Sequence, residues 1–184
     1  MKHLGTEIIE TNRLILRRFK MDDAENMYKN WASDDDVTKY LTWPAHKSIS
    51  DTKEILKQWQ DNYHKKDFYQ WAIVLKEIDE VIGCIGVVFH DDRIEMVHIG
   101  YCIGKKFWHR GITSEALKHV IEFFFEKVKV NRIESRHDPR NVNSGAVMKK
   151  CHMKYEGTLR QGDFNNQGIC DASYYGLLRD EYEK

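Results

Sequence analysis

A chain of 184 residues with 29 basic and 29 acidic side chains carries no formal net charge at pH 7. That removes a global electrostatic case for nucleic acid or an anionic membrane and leaves any phosphate binding to local groups. The length suits one domain, residues 1–184, with a sizeable core. No apolar run approaches the ~20 residues of a membrane span and no apolar signal core opens the chain, so a cytoplasmic protein is expected.

In chain order, residues 13–18 read as a first strand. Asp22 and Asp23 open a helix whose Ala24, Met27, Tyr28 and Trp31 recur at helical spacing and present a core face. Asp34, Asp35 and Asp36 cap a second short helix over 37–41, which Trp43-Pro44 ends because the residue before proline leaves the helical region. Asp51 followed by Glu54 reads as the capping box of a third helix carrying Ile55 and Trp59. From Tyr69 the pattern turns to strands: 70–75, 81–89 and 95–103 form an antiparallel meander. A helix over 114–127 turns Ala116, Leu117, Val120, Ile121 and Phe124 to the sheet. It is followed by a strand at 132–137, which the crossover lays parallel to 95–103. A helix over 146–151, begun by Asn143 or Ser144, and strands at 155–159 and 172–178 complete a mixed α/β (α+β) domain. Cys84, Cys102, Cys151 and Cys170 lack Cys-x-x-Cys spacing and read as reduced packing residues, so neither disulfides nor a metal are expected.

The segment 94–116 organises the rest. A buried strand from Glu95 to Ile103 gives way to a basic turn with Lys105, Lys106 and Arg110, and the turn feeds a helix. The first N–H groups of a helix have no intrahelical partner, and the aligned peptide dipoles place roughly half a positive charge there, which suits a phosphate. Neither a Walker A loop nor a Gly-x-Gly-x-x-Gly fingerprint occurs. Instead, Trp-His-Arg-Gly-Ile-Thr-Ser-Glu-Ala at 108–116 resembles the acetyl-CoA-binding motif of the GNAT N-acetyltransferases, in particular the branch of the ribosomal-protein N-terminal (alanine/serine) acetyltransferases. Trp108, Arg110, Gly111, Glu115 and Ala116 match and Ser114 is a close substitute, whereas His109 and Thr113 stand where glycine, or glycine and alanine, are usual. Residues 130–136, 141–153 and 155–160 are similar to the family's second conserved stretch, with His152 in place of the usual glycine at a helix end.

The resemblance implies a GNAT fold, a central, mostly antiparallel twisted sheet flanked by helices. It also implies acetyl-CoA as cosubstrate and direct acetyl transfer to a primary amine without an acyl-enzyme. The strands 95–103 and 132–137 are expected to splay so that pantetheine pairs with backbone along Ile99, Tyr101 and Ile103. Asn141 would contact the same arm, and Trp108, His109, Arg110, Gly111, Ile112 and Thr113 would form the pyrophosphate turn. Trp31, Tyr40 and Trp43 are candidates for the acceptor pocket, with core burial as the other reading of each. For the base, the branch usually carries Glu where His98 stands; Glu95 is the second candidate, because a bulge expected in this strand would change which face each takes. Ser144 matches a proposed proton donor, with a helix N-cap as its alternative, while Met148 stands where many relatives have tyrosine.

An α-amine of pKa ~8 costs ~1.4 kcal/mol to deprotonate at pH 7 against ~4.6 kcal/mol for a lysine-like amine. A single weakly placed base suits the α-amine better, in agreement with the resemblance, so the expected acceptor is the α-amine of a protein or peptide N-terminus. The alternatives are a small-molecule amine such as a polyamine or antibiotic, or a non-catalytic acyl-CoA-binding or sensing module. The protein is expected as a monomer or homodimer, with no nucleic acid or membrane partner.

Overall fold

The computed structural model describes residues 1–182. Its strands are β1 (Ile9–Glu10), β2 (Leu14–Arg17), β3 (Gln70–Leu75), β4 (Glu80–Asp91), β5 (Met96–Ile103), β6 (Arg132–His137), β7 (Lys154–Asn165) and β8 (Gly168–Leu178). They form one sheet in the order β1-β2-β3-β4-β5-β6-β8-β7. Every neighbouring pair is antiparallel except β5 and β6, which run parallel. The sheet and its flanking helices match the expected mixed fold. The Trp-Ala-Ile-Val-Leu run of β3 is buried on both sides, because helices cover both faces there.

The helices are α1 (Ala24–Met27), α2 (Asp35–Thr38), α3 (Ile49–Asn62), α4 (Ile112–Phe123), α5 (Val142–Lys150) and α6 (Arg179–Tyr182). One core lies under α4, where Ala116, Leu117, Val120 and Ile121 pack with Leu14, Trp71, Ile73, Val97, Ile99 and Ile133. The other lies on the opposite face, where Phe19, Ala24, Met27, Trp31 and Leu56 pack with Ala72, Val74 and Val81. Among the described residues, no helix is long and apolar enough to cross a membrane.

Several boundaries differ from the sequence reading for local reasons. The first helix is split: a 3-10 turn over Met21–Asp23 precedes α1, and a single π turn over Tyr28–Ala32 follows it. Asp23 is buried there against the Arg17 guanidinium, with both N···O distances 2.8 Å. The box of α3 is Ser48 with Asp51, not Asp51 with Glu54: the Ser48 hydroxyl accepts the Asp51 N–H and the Asp51 carboxylate accepts the Ser48 N–H. The final two strands are far longer than expected and make a twelve- and eleven-residue hairpin.

The expected bulge is present, but in β4. Val87 opposes Ile99 while Phe89 opposes His98, so Val88 is the extra residue and β5 keeps strict alternation.

Candidate active site

Pairing between β5 and β6 ends at His98 and Glu134, and the two strands then part. The Gly104 N–H bonds to the Ile82 carbonyl and the Glu95 carbonyl accepts from Asn131 and Arg132. Even-numbered positions of β5 therefore turn their main-chain groups to β4, and odd-numbered ones to β6. The Ile99 carbonyl accepts the Ser135 hydroxyl at 2.7 Å and the Ile103 carbonyl accepts the Trp108 indole N–H at 2.9 Å. Between them, the main-chain groups of Tyr101 face the gap. A cavity of about 590 Å³ opens here, walled by Tyr101–Ile103 of β5, the 107–114 turn, the start of α5, and α2 with Tyr40.

At one end of this cavity the chain makes an anion cradle. His109 and Gly111 take left-handed conformations with φ of +59° and +71°, the kind of turn in which successive N–H groups can converge on an anion. The first main-chain bond of α4 runs from Glu115 N–H to the Gly111 carbonyl, leaving the N–H groups of Ile112, Thr113 and Ser114 without an intrahelical partner. The Lys150 ammonium lies 3.5 Å from where a Cβ on Gly111 would stand, and it lines the cavity.

Glu115 fixes the helix start, accepting from the Thr11 hydroxyl at 2.6 Å, the Arg13 N–H at 3.0 Å and the Arg13 guanidinium at 2.6 Å. Burial works against its charge, but these donors hold the carboxyl below the usual carboxylate range. Gly104 lets the turn pass close to the π segment, since a Cβ there would sit 2.5 Å from the Asn30 carbonyl oxygen.

At the other end are groups suited to a leaving thiolate. The Tyr101 hydroxyl donates to the Ser144 carbonyl at 2.9 Å and accepts from the Ser144 hydroxyl at 3.2 Å. Burial pushes the Tyr101 phenol well above its ordinary pKa, so it stays protonated. Ser144 is not a cap: Asn141 holds that position and makes no side-chain capping bond, which leaves its amide to the cavity it lines.

Asp138 holds the loop that delivers Asn141. Its carboxylate accepts from Arg140 at 2.6 Å and Asn165 at 2.9 Å, and Arg140 keeps it far below the usual carboxylate range. Cys102 also lines the cavity, with its sulfur 3.4 Å from that of Cys84. The contact with Cys84 and burial push its thiol well up, consistent with packing rather than nucleophilic use.

Of the residues singled out from sequence, Tyr101, Ile103, Trp108, His109, Gly111, Ile112, Thr113, Asn141, Ser144 and Tyr40 come together at the cavity. The others do not line it. Ile99 is core under α4. Arg110 lies over the Phe107 ring at 5.9 Å and pairs outward with Glu77. Trp31 is 0% exposed in the second core, and Trp43 packs against that core beside His46.

Neither candidate base reaches the cavity. His98 is 6% exposed, with its Nδ1 3.0 Å from Glu134, itself held by Arg132. Glu95 precedes β5 in a left-handed conformation and pairs with the Met1 amino group, at the opposite end of the strand. Lys105, read from sequence as a basic group of the phosphate turn, is tied to Asp36, and sequence reasoning missed Lys150 and Asn166, whose amide donates to the Thr38 and Trp43 carbonyls and so holds the Tyr40 segment. These are tertiary pairings with no local motif.

The family model described as "Acetyltransferase (GNAT) domain" matches residues 13–154. An uncharacterized N-acetyltransferase of Bacillus licheniformis, p20, is 31% identical over 176 residues, 96% of this chain and 98% of that protein. The ribosomal-protein-serine acetyltransferase of Escherichia coli is 26% identical over 141 residues, 76% of this chain and 78% of that protein. A GNAT-family acetyltransferase structure from Bacillus anthracis superposes with a TM-score of 0.84 at 26% identity, covering 95% of this chain and 100% of that one. With the splayed β5–β6 gap ending on a cationic helix start, and a family match across most of its length, the chain belongs to the GNAT acetyltransferases and is an acyltransferase.

Proposed function

We propose that the protein moves an acetyl group from acetyl-CoA to the α-amine of a protein or peptide N-terminus. The observation that carries this is the continuity of the cavity. One end is an anion cradle for a pyrophosphate, the middle is a strand edge able to pair with an amide-bearing arm, and the far end holds the Tyr101–Ser144 hydroxyl pair. Main-chain N–H groups on the β5 edge supply donors toward a thioester carbonyl oxygen as its charge grows. The Tyr101 hydroxyl, kept protonated by burial, takes the place of the tyrosine missing at Met148, which is fully buried in the core.

Neither candidate base lines the cavity, and the carboxylate and imidazole that do, Asp36 and His109, belong to the Lys105 pair and to the 107–114 turn; this favours a weakly basic acceptor. At pH 7 about one α-amine in ten is already neutral, whereas only about one lysine-like amine in two thousand is. His98 with Glu134 is then a pair that braces β5 against β6 at the last rung before the strands part. The likeness to a ribosomal-protein-serine acetyltransferase supports the same acceptor class.

The test is coenzyme A release from acetyl-CoA over a panel of N-terminal peptides, polyamines and aminoglycosides. Turnover on peptides with a free α-amine, and none on N-blocked peptides carrying lysine, is the expected result. Turnover on polyamines alone would move the acceptor to small amines. Saturable acetyl-CoA binding without turnover on any amine would overturn the catalytic reading.

A further inference from the structure

The expectation of no metal rests on spacing within the sequence, and the fold brings together three potential ligands that sequence spacing separates. His3, His90 and Asp92 each offer one donor atom within 4.8 Å of the other two. The cluster is built at the turn between β4 and β5, where His90 and Asp92 sit two residues apart, and the N-terminal segment lays His3 across it. His3 Nε2 is 3.2 Å and His90 Nδ1 2.9 Å from the same Asp92 oxygen. The two imidazoles stand edge to face at 4.9 Å.

We infer that His3, His90 and Asp92 form a site for a divalent first-row transition metal of the zinc class, remote from the acetyl-transfer cavity. Two imidazoles and a carboxylate are a donor set suited to such ions, and harder cations such as magnesium prefer oxygen ligands throughout. Ligand atoms about 2.0–2.2 Å from one ion lie roughly 3–3.5 Å apart in a tetrahedral arrangement. The two separations to Asp92 already have that size, and the third pair, within 4.8 Å, has to close on binding.

A second group orients the first ligand. The Tyr69 hydroxyl accepts the Leu4 N–H at 3.0 Å and lies 3.1 Å from His3 Nδ1. It thus leaves Nε2 of His3 as the coordinating nitrogen. Tyr69 is itself immobilised, 1% exposed and edge-on to Phe124 at 4.9 Å, so the His3 ring is set by the core.

The surroundings favour a cation. The Asp67 carboxylate lies 4.0 Å from His90 Nε2, while the Asp91 carboxylate is turned to Arg93. Asp92 is 61% exposed and the two histidines partly so, which leaves an entry path and room for water to complete the coordination. A bound ion would tie the N-terminal segment to the β4–β5 turn, adding to the Lys2 N–H bond with the Val128 carbonyl and the Thr6 hydroxyl bond with the Phe68 carbonyl.

Tag-free full-length protein titrated with Zn²⁺ by calorimetry, and with Co²⁺ by absorption, tests this. One Zn²⁺ per chain is expected, with d–d absorption on Co²⁺ addition and a melting temperature raised by about 5–10 °C at a hundredfold excess over Kd. His90→Ala and Asp92→Asn should each weaken Zn²⁺ binding at least tenfold while the metal-free melting temperature stays near the parent's. His64→Ala, at an exposed histidine elsewhere, should leave binding unchanged. No saturable Zn²⁺ binding below millimolar, or equal affinity in the parent, His90→Ala and Asp92→Asn proteins, overturns the site. Binding lost in His3→Ala alone would also overturn it, since that result means chelation by the N-terminal segment without the turn.

Discussion

The two ends of β5 are made from one continuous strand by opposite rules. At its start every rung is filled: the Glu95 carbonyl takes two N–H groups from the β6 side, the Glu95 carboxylate takes the Met1 amino group, and three successive residues pair with β6. Past His98, β4 alone pairs with the strand, and the other edge opens on the cavity. Edge groups of a strand are normally a liability; here the unpaired edge is enclosed between α2, α5 and the 107–114 turn, where it can serve one ligand. The difference teaches that the site is made by withholding pairing from a strand that is otherwise locked, and substitutions should separate accordingly.

The largest effect is expected where the open end is anchored. Glu115→Ala removes three bonds at the start of α4 and leaves the Thr11 and Arg13 donors behind. Partial burial of the pair puts the loss at about 2 kcal/mol, or roughly 4–8 °C in melting temperature for a chain of this size. The KM for acetyl-CoA should rise with it.

The same carboxyl gives a pH signature. Its folded pKa lies below the unfolded value of about 4.3, so between the two the unfolded chain binds more protons. The Glu115 contribution is therefore complete above about pH 5 and lost as pH falls through the folded value. Melting curves from pH 7 to pH 3 should be flatter for Glu115→Gln than for the parent. Parallel curves would remove Glu115 as the anchor.

Next comes the cradle itself. Gly111→Ala forces a side chain into a left-handed conformation at φ +71°, at a cost of roughly 1–2 kcal/mol. Because the nearest atom to that Cβ, 3.5 Å away, is the end of a flexible lysine, the strain should be relieved by shifting the turn. A rise of about tenfold in the KM for acetyl-CoA with little change in kcat is the expected split. An unchanged KM would mean that the turn does not hold the pyrophosphate.

Tyr101→Phe keeps the ring and removes the hydroxyl at the thiolate end, so kcat should fall by about tenfold, equivalent to ~1.4 kcal/mol, with acetyl-CoA binding retained. Ser144→Ala removes only the donor to that hydroxyl and should cost less. Equal kcat for Tyr101→Phe and the parent would show that the thiolate leaves without a proton from this pair.

How much of this was legible in sequence depends on the reach of each interaction. The strand, turn and helix of 94–116 could be read because strand content, a glycine-bearing turn and a helical apolar stripe are local signals. The family resemblance, rather than a local signal, marks His109 and His152 as standing where glycine is usual, and both take positive φ. What failed was long-range. The bulge was expected in β5 and lies in β4, since register belongs to a strand pair and not to one strand. Strand content in β7 is obscured by its many polar residues, most of them exposed. His98 sits at the family's base position, but only β6 reveals that Glu134 claims its ring. The Tyr101–Ser144 pair spans 43 residues and the His3–Asp92 contact 89; no spacing rule connects either.

The smallest effect is expected at the closed end, and it is the sharpest test of the comparison. Glu95 is the second candidate base of the sequence reading, beside His98, and a base acting on the amine would cost at least about a hundredfold in kcat on removal. In the structure Glu95 stands before the first rung of β5, while the cavity begins past the last rung shared with β6. At a rise of about 3.3 Å per residue, the six residues from Glu95 to Tyr101 span roughly 20 Å, beyond any single proton transfer. Glu95→Gln should therefore leave kcat and both KM values within twofold. It should lower the melting temperature by no more than about 2 °C, the share of a partly exposed ion pair with the Met1 amino group. A hundredfold loss of kcat in a folded Glu95→Gln protein would mean that the two ends of β5 are not divided as the pairing divides them, and that the acceptor reaches the strand from its paired end.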